Sequence, residues 1–542
     1  MNDSFDFAAM PEDIRRHLLL GFSGRPHLHG AVEVVLNHSR RPDDLYARMA
    51  ADMLLAAWGE NPLDGNCVAA LAGRMDKLPA VSKRLLPAIK SVLAHWQPEV
   101  TPEAQVAMQG SGSQQLTFLR DQLRHQLRNL FWWHHLYEYA RIHGDWPAFR
   151  EQMSEAQAPE GLARVFSCAL GHALFAKGDR KAASVLYGDL LAKLPLPIID
   201  ERLAMAWLGR GKIDEGLLLL QQCAASRPWN VSLQLRQYEL AVDGANALAA
   251  PAGQTMVLAY SWNKADDLAA TLDSLVRSDL ESVQVRVLDN GSTDRTPEVI
   301  RQFIDKFGSD KASVVTMPVN VGAPAARNWL MHLPEVRESE HVAFIDDDIE
   351  LPGDWLKRLG AVASRYPEAG VWGCKVVDYH GPSRMQCGEH NLYPVPGMRR
   401  ETLMSTLMLQ DSDFGQMDYM RPCASVTGCV HLFRTSRLLQ NGDFDLRFSP
   451  TQYDDLDRDL RMVLSGGYAA YTGFLAIPHK RRSGSLSETG KPEAGGATAN
   501  MHKLLAKYSD GEFEAMAKVM DAVLLDDVQK KIKALGESGT KL

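Results

Sequence analysis

The sequence predicts an α/β domain with a mainly parallel sheet, preceded by an all-α region. From residue 1 to about 245 the chain is rich in Leu and Ala, and its apolar residues recur at spacings of three and four, as on one face of a helix. After residue 254, short apolar runs recur every 28 to 30 residues, with helix-like segments between them. An alternation of strand and helix with this spacing favours parallel strands joined by right-handed crossovers.

The length of 542 residues exceeds what one hydrophobic core supports and favours roughly three domains. The loose, small-residue stretch VDGANALAAPAGQ (242–254) separates the two patterns. We predict a helical bundle over 1–120, helical repeats over 121–245, an α/β domain over 254–490 and a C-terminal helical extension over 491–542.

The composition argues against several function classes. A formal net charge of −8 disfavours a broad nucleic-acid-binding surface, and no run approaches the roughly 18 apolar residues of a membrane span. We therefore expect no nucleic-acid partner and no integral membrane segment. Seven cysteines without a CxxC pair favour a reducing compartment, and the first residues lack the pattern of a signal peptide. The expected location is cytoplasmic.

A period of 33 to 34 residues appears in the helical half. Gly144, Gly178 and Gly211 are spaced by 34 and 33, and Pro195 and Pro228 are 33 apart. This resembles tetratricopeptide repeats, in which glycine allows the turn between paired helices and proline ends the second helix. Stacked helix pairs form a concave face that binds a peptide or protein segment, or that serves as a scaffold or dimerisation surface.

Polar or glycine-rich segments follow each of the four predicted strands. The strands are MVLAY (256–260), VQVRVLD (283–289), SVVTM (313–317) and HVAFID (341–346), and they are followed by SWNK, DNGSTD, NVGAPAARN and DDDIELP. In parallel sheets, ligands bind at the carboxyl ends of the strands. The sequence therefore predicts a binding site at that edge.

An ordered set of motifs between residues 255 and 485 resembles the family-two glycosyltransferases, which have the nucleotide-sugar-binding GT-A fold. The set is AYSWNKADDL, RVLDNGSTDRT, NVGAPAARN, FIDDDIELPGDW, NGDFDLRFSPTQYDDLDRDLR and IPHKRRSGS. The resemblance implies an inverting transfer of a sugar from a nucleoside-diphosphate sugar, with a UDP-sugar favoured, to an acceptor hydroxyl. It also implies a divalent cation.

Three consecutive aspartates at the end of the fourth strand repel one another and resist the loss of water. Mg²⁺ or Mn²⁺ would offset that repulsion, since both prefer hard oxygen ligands. The resemblance implies that Asp348 binds the metal, that Asp346 faces the ribose or the metal, and that His479 completes the metal site. Asp347 is expected to point the other way if the segment is extended.

The resemblance also implies a set of nucleotide-sugar contacts at the strand ends. Asp289 stands where relatives bind the base, and Asn290 replaces a second aspartate of many relatives. Arg327 either lies close to the bound diphosphate or to the aspartate cluster, or forms an ion pair that only shapes the site. The full predicted set is Tyr260, Trp262, Asn263, Asp289, Asn290, Gly291, Asn320, Gly322, Arg327, Asp346 and Asp347.

The segment QYDDLDRDLR matches the part of the family that carries the catalytic base. Asp455 takes the base position and Asp454 stands in place of the usual Glu, so both are assigned to catalysis. Asp457 and Arg461, four residues apart, can pair on one helix. The alternative is an acidic helix N-terminus that the helix dipole favours. Lys480, Arg481 and Arg482 either clamp the diphosphate or are solvated.

The acceptor is the least constrained part of the prediction. Repeats joined to such a domain resemble bacterial enzymes that glycosylate flagellin or other surface proteins, which implies a protein acceptor bound by the repeats. One alternative is a glycan or lipid-linked acceptor with the repeats as scaffold. Another is an inactive, transferase-like binding scaffold, although every acidic site position is retained.

Overall fold

The computed structural model describes residues 5–21, 24–79, 83–110, 112–155, 158–159, 161–280, 282–392, 411–481 and 492–537. These residues form two compact units. The first contains the described residues up to 238, together with 411–416 and 532–537. The second contains the described residues of 239–409 and of 417–531.

Helices make up the described chain before residue 242. Their starts follow local chemistry: Asp44, Asp64 and Asp179 each accept a backbone N–H of the first turn, which satisfies donors that the helix itself leaves free. The helices are α1 Glu12–Leu19, α2 Arg25–His38, α3 Leu45–Glu60, α4 Gly65–Ala72, α5 Leu86–His95, α6 Pro102–Met108, α7 Gly112–His125, α8 Leu130–His143, α9 Trp146–Glu155, α10 Ala163–Ala176, α11 Arg180–Leu190, α12 Pro197–Leu208, α13 Ile213–Ser226 and α14 Val231–Ala241.

The repeated glycines lie in the turns of three successive helical hairpins, α8–α9, α10–α11 and α12–α13. Gly144, Gly178 and Gly211 have φ angles of 70°, 82° and 75°, in the left-handed region that glycine enters without steric strain. The glycine period therefore reports a real repeat of helix, turn and helix. Membership of the tetratricopeptide class stays a prediction.

The four predicted strands are confirmed in the second unit. They are β1 Thr255–Ser261, β2 Val283–Asp289, β3 Ala312–Thr316 and β4 His341–Ile345. The remaining described strands are β5 Val371–Asp378, β6 Arg384–Cys387, β7 Asp411–Ser412, β8 Met420–Cys423, β9 Val430–Arg434 and β10 Ala469–His479, of which β7 belongs to the first unit.

The sheet of the second unit has the order β3-β2-β1-β4-β9-β5-β10-β8, and β6 pairs with β5. The pairs β1–β2, β2–β3, β1–β4 and β5–β10 are parallel. β9 is antiparallel to both β4 and β5, so these two strands run in the same direction. The carboxyl ends of β1, β2, β4, β5 and β10 therefore lie at one edge. The predicted α/β fold with a mainly parallel sheet after an all-helical region is confirmed.

Helices pack on this sheet and cover an apolar core. The buried residues include Val257 and Val285 from the strands and Leu268, Leu272 and Trp355 from the helices. Of the helices that the structure describes, none has the length and apolarity to cross a bilayer. The helices after residue 254 are α15 Ala265–Val276, α16 Thr296–Phe307, α17 Ala323–Met331, α18 Pro334–Arg337, α19 Trp355–Arg365, α20 Thr435–Gln440, α21 Asp454–Leu464, α22 Pro492–Lys507 and α23 Asp510–Glu537, with 3-10 turns at Gly244–Asn246 and Leu446–Phe448. Residues 532–537 of α23 belong to the first unit.

Substitution of the hairpin glycines should separate backbone strain from loss of space. No heavy atom lies within 4 Å of a Cβ built at Gly211 or at Gly188, but only Gly211 has a positive φ, whereas Gly188 is inside α11. We expect Gly211→Ala to lower the free energy of unfolding by about 1 kcal/mol. The control Gly188→Ala should raise it by up to about 1 kcal/mol. Urea titrations followed by circular dichroism measure both, and equal effects would contradict this account.

Candidate functional site

The three aspartates follow β4 directly at the carboxyl edge of the sheet. The backbone N–H of Asp346 donates to the carbonyl of Cys429 at 2.9 Å, which extends the β4–β9 pairing by one step. Beyond it, the N–H of Lys480 donates to the carbonyl of Asp348 at 2.9 Å. The end of β10 thus runs beside the aspartates, and His479 Nε2 lies 3.1 Å from Asp348 Oδ1.

Asp346, Asp348 and His479 form a group that can hold a metal ion. One ligand atom from each lies within 4.8 Å of the others. Two carboxylates and an imidazole suit Mn²⁺, and the carboxylates suit Mg²⁺. The structure therefore brings together the three residues that the sequence assigned to the metal, while their role as ligands stays a prediction.

Gln386 fixes the orientation of the His479 ring. The Gln386 Nε2 donates to the carbonyls of His479 and Arg481, at 3.0 Å each, so its Oε1 is left to accept from His479 Nδ1 at 2.9 Å. With Nδ1 as the donor, Nε2 carries the lone pair of the neutral ring, and Nε2 is the atom that faces Asp348. A second residue that orients a metal-binding histidine in this way is typical of metal sites. The sequence motifs gave no signal for Gln386.

The aspartate cluster concentrates negative charge out of water. Burial raises the pKa of Asp346 to about 6, with Arg327 opposing the shift and Asp348 adding to it. Burial also favours the neutral form of Asp348, but the hydrogen bond and charge of His479 outweigh it and lower the pKa of Asp348. The pKa of His479 is raised in turn, because Asp348 outweighs the effect of burial. The site therefore favours a positive charge beside Asp348.

Lys264 supplies a second cation to the cluster. Its Nζ donates to Asp347 Oδ1 at 2.9 Å and to Asp348 Oδ2 at 3.0 Å, and Ser261 Oγ donates to Asp347 Oδ2 at 2.7 Å. Burial opposes the charge of Lys264, but the two carboxylates raise its pKa. The predicted set contains Trp262 and Asn263, directly before Lys264, but not Lys264 itself. A signal for Lys264 was present in the sequence, because three adjacent aspartates require a positive charge nearby.

The loops after β1 and β2 hold each other in place. Asn263, at φ 53°, accepts at Oδ1 from the backbone N–H of Thr293 at 2.7 Å. Asp294 Oδ2 accepts from the N–H of Ala265 at 3.1 Å. Asp289 is buried and accepts from the N–H of Ser292 at 3.0 Å, so it closes the turn that contains Gly291.

The loops after β2 and β3 are joined by two asparagines. Asn290 Nδ2 donates to Asn320 Oδ1 at 2.9 Å, and Asn290 Oδ1 accepts from the N–H of Val321 at 3.0 Å. Gly322 follows with φ 84°, and a Cβ there would lie 3.3 Å from the carbonyl oxygen of Pro450. A larger residue would therefore push the loop around Pro450 away from the site.

Two aromatic residues of the predicted nucleotide-sugar set, Tyr260 and Trp262, lie in β1 and directly after it. Tyr260 is partly buried, and its ring lies 5.4 Å from the guanidinium of Arg327. Trp262 is 49% exposed, as a residue that contacts a ligand from solution can be. The contacts of the whole set with a nucleotide sugar stay predictions.

Arg327 is buried between two acidic groups. Its NH1 donates to Asp454 at 2.6 Å, and its NH2 lies 3.5 Å from Asp346 Oδ1 and 3.4 Å from the carbonyl of Gly428. Asp454 is 1% exposed and is therefore engaged in a buried ion pair. Removing one member of such a pair costs about 3–5 kcal/mol. Arg327 thus has an ion pair and also lies near the aspartate cluster, and its contact with a diphosphate and the catalytic role of Asp454 stay predictions.

Asp455 lies in the first turn of α21, partly exposed. Its Oδ2 accepts from the N–H of Gly428 at 2.8 Å. Two residues further on, Asp457 accepts from Arg461 Nε at 3.2 Å, so the pair expected from their spacing is present. Among the late cations, Lys480 donates to Asp267 at 2.8 Å. Arg482 lies outside the described residues.

The part of the second unit that carries these strand ends matches a known family. Residues 257–425 match the model of Glycosyl transferase family 2. This region is similar to glycosyltransferase family domains. A stretch of 85 residues is also 28% identical to an uncharacterized glycosyltransferase of Haemophilus influenzae, covering 16% of this chain and 32% of that relative. The aligned stretch thus spans about a third of the relative's length.

Three solved structures resemble between 48% and 60% of the chain. GalNAc-T7 with UDP, GalNAc and Mn²⁺ has a TM-score of 0.38 at 11% identity, covering 48% of this chain and 50% of that one. The mannosyltransferase PcManGT of Pyrobaculum calidifontis with GDP-Man and Mn²⁺ has a TM-score of 0.35 at 15% identity, covering 60% of this chain and 88% of that one. TarS of S. aureus with UDP-GlcNAc has a TM-score of 0.34 at 16% identity, covering 49% of this chain and 71% of that one.

Loss of the Gln386 side-chain amide should weaken metal binding without removing a ligand. We expect Gln386→Leu to lower the affinity for Mn²⁺ about 10- to 100-fold, because the His479 ring loses the acceptor that orients it. Titration of Mn²⁺ by isothermal calorimetry measures this. Gln302→Leu on the exposed face of α16 is the matched control. Equal Mn²⁺ affinity in the two variants would contradict the role of Gln386.

Proposed function

We propose that the second unit transfers a sugar from a nucleoside-diphosphate sugar to an acceptor hydroxyl. One observation carries the proposal: the backbone of two consecutive residues contacts both halves of the predicted site. Gly428 donates to the carboxylate of Asp455, and the carbonyl of Cys429 accepts from Asp346. The candidate base and the candidate metal group therefore adjoin each other, as a reaction between donor and acceptor requires. The family match over 257–425 supports the reaction class.

The proposed reaction is a single displacement. A lone pair of the acceptor oxygen attacks the anomeric carbon while Asp455 takes the proton of the hydroxyl. The bond between the anomeric carbon and the phosphate oxygen breaks, and its electron pair leaves with the nucleoside diphosphate. Attack opposite the leaving group inverts the configuration at the anomeric carbon. Asp455 suits the role of base because its carboxylate is partly exposed and is oriented by one backbone N–H.

Charge on the leaving diphosphate needs compensation. When bound, Mn²⁺ or Mg²⁺ held by Asp346, Asp348 and His479 would neutralise that charge and polarise the phosphate oxygens. Lys264 lies beside the same aspartates and can add a positive charge to the donor site. The loops after β1, β2 and β3 hold one another by side-chain hydrogen bonds, which supports a preformed donor pocket. We favour a UDP-sugar as donor, on the sequence resemblance.

For the acceptor, we propose a protein, of the flagellin or surface-protein kind, in the bacterial cytoplasm. The support is the run of three helical hairpins in the first unit, since stacked hairpins present a surface suited to a polypeptide. Transfer to a glycan or lipid-linked acceptor, with the hairpins as scaffold, is the alternative. Mass spectrometry of candidate proteins and glycans after incubation with a sugar donor separates the two.

The assignment of the base predicts a large and specific loss of turnover. Asp455→Asn keeps an oxygen that can accept from the Gly428 N–H but cannot take a proton, so we expect kcat to fall about 10²- to 10⁴-fold. The assay is release of nucleoside diphosphate from UDP-glucose, UDP-galactose, UDP-GlcNAc and GDP-mannose with Mn²⁺. The exposed Asp305→Asn in α16 is the matched control. Absence of any turnover by the wild-type protein would support the inactive binding scaffold instead.

A further inference from the structure

The loop before α21 has an unusual backbone. Gln452 and Tyr453 have φ angles of 75° and 71°, and neither is a glycine. Residues with side chains occupy this region only where surrounding contacts hold them, and such residues are frequent at functional sites. Tyr453 is the N-cap of α21 and gives no side-chain cap to it. The next two residues are Asp454 and Asp455, so the position of the candidate base depends on how this loop is held.

Asn500, in the C-terminal helix α22, holds the loop. Its side chain is 1% exposed. The Nδ2 group lies within hydrogen-bond distance of the carbonyl oxygens of Phe448 (2.7 Å), Thr451 (2.9 Å) and Gln452 (3.2 Å), and its two hydrogens are shared among these three acceptors. A single buried amide thus binds the loop at three points, including one of its two left-handed residues. The amide orientation is fixed, because an amide oxygen in the same place would face three carbonyl oxygens.

The same face of α22 makes one contact within the helix, which supports Asn500, and two with the segment before α21 and with α21 itself. Lys503 Nζ donates to Asn500 Oδ1 at 2.9 Å and to the carbonyl of Arg447 at 2.7 Å. Lys507 Nζ lies 2.6 Å from Asp457 Oδ1, inside the first turn of α21. Residues 500, 503 and 507 are spaced by three and four and therefore lie on one side of the helix. Tyr508 follows and donates to Asp457 Oδ1 at 2.8 Å.

We propose that α22 is a positioning element for the base, with Asn500 as its principal residue. The inference rests on the proposed function, since it assigns to α22 the placing of Asp455 for proton removal. The donor and metal residues come from β1, β2, β4, β10 and the loops that follow the strands. None of the contacts of Asn500 described above reaches them. The carbonyls that Asn500 binds flank Pro450, which abuts Gly322, but they lie closest in sequence to Asp454 and Asp455, so we expect loss of Asn500 to lower turnover more than donor binding.

The test separates turnover from donor binding. Asn500→Asp is nearly isosteric and replaces the donating group by an oxygen that faces the loop carbonyls. We expect kcat for nucleoside-diphosphate release to fall roughly ten- to a hundredfold, with the Km for the sugar donor changed less than about threefold. The rise in melting temperature caused by UDP with Mn²⁺ should equal that of the wild type. Deuterium exchange of backbone amides 449–457 should be faster.

The matched control is His502→Ala, on the exposed face of the same helix. A kcat for Asn500→Asp within twofold of this control would overturn the inference, as would loss of the UDP–Mn²⁺ stabilisation together with kcat. If Asn500→Asp does not fold, Lys503→Met removes the support of the amide oxygen and should lower kcat at least about threefold. No change in that variant would also overturn the inference. A wild-type protein without turnover would refute the proposed function alone, since faster exchange in 449–457 would still show that Asn500 holds the loop.

Discussion

The negative charge after β4 is the constraint on which the rest of the site depends. Asp347 and Asp348 are buried, and Asp346 lies beside them at the end of a buried strand. Like charges at this distance repel strongly out of water, so each needs a nearby positive charge. Lys264 contacts Asp347 and Asp348, His479 contacts Asp348, and Arg327 lies near Asp346. The attraction to the aspartates therefore holds three separate segments of the chain at this edge of the sheet.

Strand direction explains how residues far apart in sequence reach that edge. β9 runs antiparallel between β4 and β5, and β10 is parallel to β5, so β10 ends where β4 ends. His479, the last residue of β10, therefore lies beside Asp348, which follows β4. The first half of the sheet, β3-β2-β1-β4, contributes the loops that precede the aspartates in sequence. The antiparallel strand in a mainly parallel sheet thus allows a late histidine to join an early acidic cluster.

The parts of the site that the sequence predicts are those set by local pattern. Strand runs, the hairpin glycines and the pairing of Asp457 with Arg461 follow from periodicity and spacing within a few residues. Lys264, Gln386 and Asn500 escape such reasoning because their contacts are 83 to 84, 93 to 95 and up to 52 residues away. Lysine, glutamine and asparagine are common surface residues, so their presence in a sequence predicts no particular contact. Only the folded chain shows which groups they bind by hydrogen bonds.

The two adjacent acids at the start of α21 show how environment divides roles between equal side chains. Asp454 is 1% exposed, and its carboxylate forms an ion pair with Arg327. Burial raises the pKa of Asp454, although Arg327 opposes the shift. Asp455 is partly exposed, and its Oδ2 accepts from the backbone N–H of Gly428. Paired carboxylates in unlike surroundings commonly take unlike tasks. Since Arg327 also lies near Asp346, Asp454 links the first turn of α21 to the predicted metal group, and Asp455 is the better placed of the two acids for the proposed role of base.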